Sequence, residues 1–358
     1  MSDNARIVIE VKDLDISFKS PTGDVHAIRG VSFKLRENEV LSLVGESGCG
    51  KSITVKTIMG ILPENAVINS GSVIYHGKGG DEELLGRSFS WRQKHINGSK
   101  ISMVFQDPMT SLNPTMTIGA QMITSIRDHE SVSKKEAYAR SIELLREVGI
   151  TDPERCMKSY PHQLSGGMRQ RIVIAIALSC NPEILICDEP TTALDVTIQN
   201  RILELLQHIQ RDRGISVIFI THNLGVVAKI ADYVGVMYAG KIIETGNVFD
   251  ILYDPKHPYT WGLLSAIPEN SNGKGELYSI PGTPPNLANE ITGDAFAPRN
   301  PYALKIDHKA EPPMFKVSNT HYAATWLLDE RAPKVEMPDA LKERIKLMKE
   351  EGKTYAEQ

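Results

Sequence analysis

The segment Gly45-Glu46-Ser47-Gly48-Cys49-Gly50-Lys51-Ser52 constrains the fold more than any other stretch of this chain. It follows the short apolar run Val40–Val44 and precedes a run with helical spacing that starts at Ile53. Strand, loop and helix in that order are the setting in which G-x-x-x-x-G-K-[ST] binds phosphate. Glycines let successive backbone N–H groups curl around phosphate oxygens, and the positive end of the following helix strengthens the field. Residues Gly45 to Ile53 are therefore the candidate phosphate cradle. Lys51 is the candidate for the β- and γ-phosphates, and the Ser52 hydroxyl the candidate for Mg²⁺. Cys49 stands open between two readings: a thiolate favoured by Lys51 and the helix N-terminus, or an inert, buried substitute for serine.

The rest of the pattern agrees with an α/β core. Residues 5–38 alternate as short strands with turn signals such as Pro21–Asp24, which predicts an antiparallel layer. Beyond Glu39 the rhythm changes. Val40–Val44, Ile101–Phe105, Ile184–Cys187 and Val217–Ile220 are β-branched-rich runs of the kind buried in a parallel sheet. Helical patterns lie between them at 134–148, 168–179 and 197–211, so the expectation is a doubly wound parallel sheet. Past Pro255 the periodicity weakens, and nearly half of the prolines fall between Pro281 and Pro338. This predicts two parts, 5–255 and an irregular extension over 256–358. Pro338-Asp339 reads as the start of a last helix, with Leu341, Ile345 and Met348 on one face docked on its own chain.

Composition narrows the function classes. A net charge of −4 and a pI near 6.2 leave no electrostatic footprint for nucleic acid. The longest apolar run, around Ile172–Leu178, falls far short of the ~20 residues of a membrane span. The start, MSDNARIVIEV, has no basic region followed by an apolar stretch, so no signal peptide is expected. Cys49, Cys156, Cys180 and Cys187 form no C-x-x-C pair, which fits reduced thiols rather than a zinc or disulfide framework.

Two further segments carry chemistry. Glu183-Ile-Leu-Ile-Cys-Asp188-Glu189 ends an apolar run in two acids. Asp188 is the candidate to hold Mg²⁺ through water, and Glu189 the candidate general base for an attacking water. Leu164-Ser165-Gly166-Gly167-Met168 leads directly into an apolar helix, so a helix N-terminus presents Ser165 and two side-chain-free amides to an anion. Between a phosphate loop and the Asp188-Glu189 pair, that segment resembles the signature motif of ABC ATPases, with Met168 where Gln is common.

The resemblance covers residues 7–250 and implies roles for lesser motifs. Gln106 is similar to the family's Q-loop glutamine, which touches Mg²⁺ and senses the membrane partner. Ala193-Leu194-Asp195 resembles the D-loop, and His222 the switch histidine at the γ-phosphate. Asn223 stands where Asp often follows that histidine, which could loosen the switch's surroundings, with little effect expected. Phe18 matches the aromatic that stacks on adenine. The family implies an ABC-type fold with an antiparallel layer and a helical signature subdomain. It also implies paired ATPase domains, each ATP lying between one phosphate loop and the other subunit's signature.

The extension points to one branch. Asp254-Pro-Lys-His257-Pro258-Tyr259-Thr260 and Ile280-Pro281-Gly282-Thr-Pro-Pro285 resemble the C-terminal region of oligopeptide and dipeptide permease ATPases, and the 106–114 segment agrees. The match running through Thr320-His321-Tyr322 is nearest the oligopeptide type; nickel and glutathione importers use related ATPases. The resemblance implies a second, related ATPase subunit, two transmembrane permease subunits, an extracytoplasmic receptor, and a place on the cytoplasmic face of the membrane. Many relatives carry four cysteines suited to an iron–sulfur cluster. Here those positions read Asp294, Asn300, Asp307 and Thr325, so no cluster is expected. DNA-repair and translation ABC ATPases differ by long insertions or by a second motif set, neither present here. An inactive paralogue would be expected to lack Lys51, Glu189 or His222, all of which this chain retains.

Overall fold

The structure, a computed structural model, describes residues 5–21, 23–192, 194–267 and 280–356. Thr22, in the expected turn, lies outside these residues. The strands are β1 (Ile7–Phe18), β2 (Val25–Arg36), β3 (Val40–Val44), β4 (Ala66–Gly77), β5 (Gly80–Glu83), β6 (Ile101–Val104), β7 (Ile184–Asp188), β8 (Ser216–Thr221), β9 (Tyr233–Tyr238), β10 (Lys241–Asn247), β11 (Phe315–Lys316) and β12 (Tyr322–Ala323). They form two sheets. One is antiparallel, in the order β2-β1-β4-β5; the other runs β11-β12-β10-β9-β3-β8-β7-β6.

The second sheet is parallel from β9 through β6 and antiparallel at β10 and β12. Every residue of β3, β7 and β8 is buried, as expected for strands covered on both faces. Their pairing matters for everything below. Val44 lies opposite Thr221, and Asp188 opposite Ile220, so β3, β7 and β8 end together at their carboxyl ends.

Three helices lie close to their expected spans, at Lys134–Glu147, Gly166–Ala177 and Val196–Arg213. Each start is set by a side-chain cap: Ser133, Ser165 and Asp195 accept the backbone N–H three residues on. Met122, Leu145, Ile172, Ile174, Leu206 and Phe219 belong to one buried cluster that ties the helical layer to the sheet. Among the described residues, no helix is long and apolar enough to cross a membrane.

The proline-rich extension is less separate than its composition implies. β12 pairs with β10 and so adds to the main sheet. Phe296 packs edge-on to Tyr238 and Tyr259 at 5.3 and 5.4 Å between ring centres, a favoured aromatic geometry. Leu341 and Ile345, on the last helix Asp339–Ala356, join the same cluster, as expected for a docked helix, while Met348 is half-buried. The buried Glu244 carboxylate accepts the backbone N–H groups of Lys256 (2.5 Å) and His257 (3.1 Å) and pairs with His321 at 2.8 Å. Three donors on one buried acid pin the start of the extension and its His321 segment to β10. Burial pushes the His257 imidazole down to about 3. It is therefore neutral, and its Nδ1 accepts the Tyr259 N–H at the start of helix Pro258–Ser265.

Asp294, Asn300, Asp307 and Thr325 are all buried. Each side-chain oxygen accepts a nearby backbone N–H: Asp294 from Phe296 (2.9 Å), Asn300 from Tyr302 (3.0 Å), Asp307 from Leu304 (2.5 Å) and Thr325 from Leu327 (3.3 Å). Local turns, closed by oxygen acceptors, hold these loops.

Burial, with a smaller push from Asp307, raises the Asp294 carboxyl to about 6 against the Phe296 hydrogen bond. The folded value lies above the ordinary 3.8, so the stability linked to this proton is full below about pH 4. It is lost as pH rises through about 6. Asp294→Asn keeps the acceptor for Phe296 and removes the charge. We predict that the variant is more stable than the parent at pH 8, by up to about 3 kcal/mol. The advantage should shrink to roughly half or less at pH 4.5. Denaturant unfolding at the two pH values measures it; an equal difference at both would refute the buried-acid account.

Candidate functional site

Because β3, β7 and β8 end together, the loops that follow them converge, and β6 brings its own loop alongside. Ligands of open α/β sheets bind at such carboxyl edges. A cleft of about 580 Å³ opens there, lined by Glu46, Lys51, Ser52, Gln106, Glu189 and His222 among others. Ser47, Gly48, Gly50 and Ile53 also face it. Gly50, just before helix Lys51–Met59, has φ of 109°. A Cβ there would sit 2.6 Å from Ile28 Cδ1 and 3.2 Å from the Ala27 carbonyl oxygen, so the close approach of loop and β2 requires glycine.

Lys51 is buried, and its ammonium donates to the carbonyls of Gly45 (2.7 Å) and Glu46 (2.9 Å). These bonds hold the cation in the mouth of the loop. Cys49 lies beneath it, with Lys51 Nζ 3.6 Å from Sγ. Burial pushes the Cys49 thiol up, outweighing the lowering by Lys51, so the thiolate reading is corrected in favour of a buried thiol. Desolvation of a small side chain beats the neighbouring charge here.

The Ser52 hydroxyl donates to Asp188 Oδ1 at 2.7 Å. Burial raises the Asp188 carboxyl, and the Ser52 hydrogen bond opposes that rise. A buried carboxylate facing a hydroxyl is an oxygen donor set that fits a hard divalent cation such as Mg²⁺, whose charge would relieve the desolvation.

Glu189 follows with φ of 46°, a left-handed value that a non-glycine residue keeps only when its surroundings enforce it. Its N–H donates to the Ile220 carbonyl at 3.0 Å. Its Oε2 accepts from Thr192 Oγ (2.9 Å) and Gln106 Nε2 (3.3 Å), and lies 3.3 Å from His222 Nδ1. One oxygen thus gathers groups from the loops after β6, β7 and β8. Asn223 caps helix Leu224–Ile230 by accepting the Gly225 N–H at 2.8 Å, a role that needs only its side-chain oxygen.

Other expected residues lie apart. Ser165 caps its helix through the Met168 N–H, and Ser165, Gly166 and Gly167 do not line the cleft. At Gly167 a Cβ would meet Ile198 at 3.0 Å, so this glycine also serves close helix packing. Phe18 ends β1 opposite Val25 and Ala66, half-buried, and does not line the cleft. Asp195 caps the helix Val196–Arg213, and Ala193 lies outside the described residues.

Thr192, Arg299, Tyr259 and Leu263 had no place in the sequence-based site. Thr192 donates to Glu189 from three residues on, a spacing that the sequence did offer. Arg299 pairs with Glu46 across 253 positions, which no local pattern signals.

Residues 28–192 match the family model described as ABC transporter, and residues 243–306 match the oligopeptide/dipeptide transporter C-terminal region. The oligopeptide transport ATP-binding protein OppD of Bacillus subtilis is 54% identical, covering 95% of this chain and 94% of its own. AmiE of Streptococcus pneumoniae, with the same description, is 53% identical over 94% of each chain. The dipeptide transport ATP-binding protein DppD of Lactococcus lactis is also 53% identical, over 96% and 97%. A solved dimeric ATP-binding cassette, in a post-hydrolysis state bound to ADP and Pi, superposes with a TM-score of 0.59 at 26% identity. It covers 67% of this chain and 98% of its own. The phosphate loop and the paired acids fall within the first of these matches and part of the extension within the second; with relatives at 53–54% identity over nearly the whole length, the chain belongs to the ABC transporter family, among its oligopeptide/dipeptide transport ATP-binding subunits.

Proposed function

We propose that this chain hydrolyses ATP to power the import of peptides, most closely oligopeptides, through an ABC transporter. The observation that carries the reading is the convergence of Lys51, the Ser52–Asp188 pair and the Glu189–His222–Gln106 group on one cleft. In this reading the loop amides from Gly45 to Gly50 and the Lys51 ammonium hold the phosphates. Ser52, Gln106 and, through water, Asp188 would hold Mg²⁺, which when bound would supply charge neutralisation at the phosphates. Glu189 takes a proton from the attacking water while His222 contacts the γ-phosphate. Thr192 and the strained backbone keep the carboxylate aimed. Phe18 stacks on adenine.

Ser165, Gly166 and Gly167 then serve the ATP of a partner, which accounts for their distance from this chain's own cleft. The partner we propose is a different, related ATPase, beneath two transmembrane permease subunits on the cytoplasmic face of the membrane. An extracytoplasmic receptor selects the peptide. Support for the peptide class is the named activity of the relatives above. A dipeptide importer is the second reading, favoured by the equal likeness to DppD. We also propose that residues 5–255 and 256–358 act as ATPase and transporter-specific parts, and that the extension holds no iron–sulfur cluster. Oxygen side chains at Asp294, Asn300, Asp307 and Thr325, each engaged with a backbone N–H, support the latter.

Three outcomes test these points. Glu189→Gln should keep ATP binding but cut turnover of the assembled transporter by ~10²–10⁴; near-parental hydrolysis would remove Glu189 from the base role. The complex purified anaerobically should contain two permease chains and a second ATPase, show peptide-stimulated hydrolysis, and lack stoichiometric iron and acid-labile sulfide on this chain. Finally, Lys51→Ala co-expressed with Ser165→Arg should restore no ATPase activity, because a heterodimer holds one copy of this chain. A symmetric pair would rebuild one intact site from the two variants, so clear recovery would sink the heterodimer.

A further inference from the structure

Two residues of the C-terminal segment touch the phosphate loop itself. The Arg299 guanidinium holds the Glu46 carboxylate by two parallel bonds, Nη1 to Oε2 at 2.7 Å and Nη2 to Oε1 at 3.0 Å. Arg299 is 6% exposed, and its other donors are engaged by the Pro281 carbonyl (2.8 Å), the Tyr238 hydroxyl (3.3 Å) and the Ile280 carbonyl (3.4 Å). The fork is therefore fixed in direction by the extension before it meets Glu46. Independently, the fully buried Tyr259 accepts the Glu46 backbone N–H at 2.8 Å. Glu46 is thus gripped at both main chain and side chain by residues 213 and 253 positions away.

The location gives this grip a purpose. Glu46 lines the cleft that must accept a polyphosphate, and its own carbonyl is one of the two that hold Lys51. An unpaired carboxylate there would repel the incoming anion and compete for the lysine. A bidentate arginine cancels the charge, turns the carboxylate aside and leaves the carbonyl in register with Lys51. The chain of contacts runs Arg299 to Glu46 to Lys51, from the extension into the phosphate site.

We propose that Arg299 and Tyr259 are positioning residues for the ATP phosphates, so that nucleotide affinity depends on a docked C-terminal segment. The proposal rests on the reading of the cleft as an ATP site. It is tested on the full chain with Mg²⁺ and the fluorescent analogue trinitrophenyl-ATP, displaced by ATP, and on KM and kcat of the assembled transporter. Arg299→Met should weaken ATP binding about tenfold, equivalent to roughly 1.4 kcal/mol. Tyr259→Phe should weaken it about threefold, and kcat at saturating ATP should stay within about threefold in both, the pattern of lost ground-state binding.

The double variant Glu46→Gln/Arg299→Met should recover to within about threefold of the parent, because no carboxylate is left without its partner. An arginine that merely supports the fold makes the opposite demand: the double variant would bind as weakly as the single one, or worse. Parental affinity in both single variants, or no recovery in the double, overturns the proposal. If Arg299→Met yields no folded chain by circular dichroism, Arg299→Lys and Tyr259→Phe decide it. The lysine keeps the charge but not the fork. Weakening of about threefold in each is expected, and parental affinity in both overturns the proposal. Lys51→Ala is the control and should abolish binding; parental binding by that variant would sink the ATP reading itself, not the role of Arg299.

Discussion

Parallel pairing of β3 with β8 and of β8 with β7 sets where the phosphate loop, the paired acids and His222 meet. Each strand ends one residue before the group that matters: Val44 before the phosphate loop, Asp188 before Glu189, Thr221 before His222. Register in a sheet is all-or-none, since a one-residue slip turns every side chain to the other face. A slip of β7 against β8 would remove Asp188 from Ser52 and carry Glu189 away from His222. The fully buried apolar faces of these strands oppose such a slip, so core packing and the geometry of the cleft are one constraint.

Within that frame the cleft concentrates groups that folding alone disfavours. Lys51 and Asp188 are buried, Asp188 is held above its ordinary range by desolvation, and Glu189 keeps a left-handed backbone. Strained backbone of this kind costs about 1–3 kcal/mol. What offsets these costs is close at hand: carbonyls of the loop for Lys51, a hydroxyl for Asp188, and for Glu189 the hydroxyl of Thr192 in its own loop and the amide of Gln106 from the loop after β6. In the function proposed above, Mg²⁺ and nucleotide phosphates would complete the same electrostatics, with a cation beside the buried acid and anions beside the buried ammonium.

The extension brings a third layer of dependence. Its aromatic cluster, its added strand and its tether at Glu244 fix the segment that carries Arg299. In consequence a region that resembles a trailing appendage in composition closes one wall of the phosphate loop. Its turns are closed locally by side-chain oxygens of Asp294, Asn300, Asp307 and Thr325.

Much of this was legible in the residues alone. The phosphate loop, the strand runs before Asp188 and His222, and the glycine-rich start of the helix after Ser165 declare themselves because local spacing encodes them: period and glycine placement act within a few residues. Loop, acids and histidine were therefore recognisable before any distance was known. What only the tertiary structure decided is how distant groups meet. Cys49 looked as well suited to a thiolate as to a buried thiol until packing buried it. Gln106 and His222 converge on one oxygen of Glu189 because strand order in the sheet, unreadable from spacing, makes their loops neighbours. The pairing of Arg299 with Glu46 spans most of the chain, and such a contact is specified by the sum of the packing between the two residues, which no short window of sequence contains.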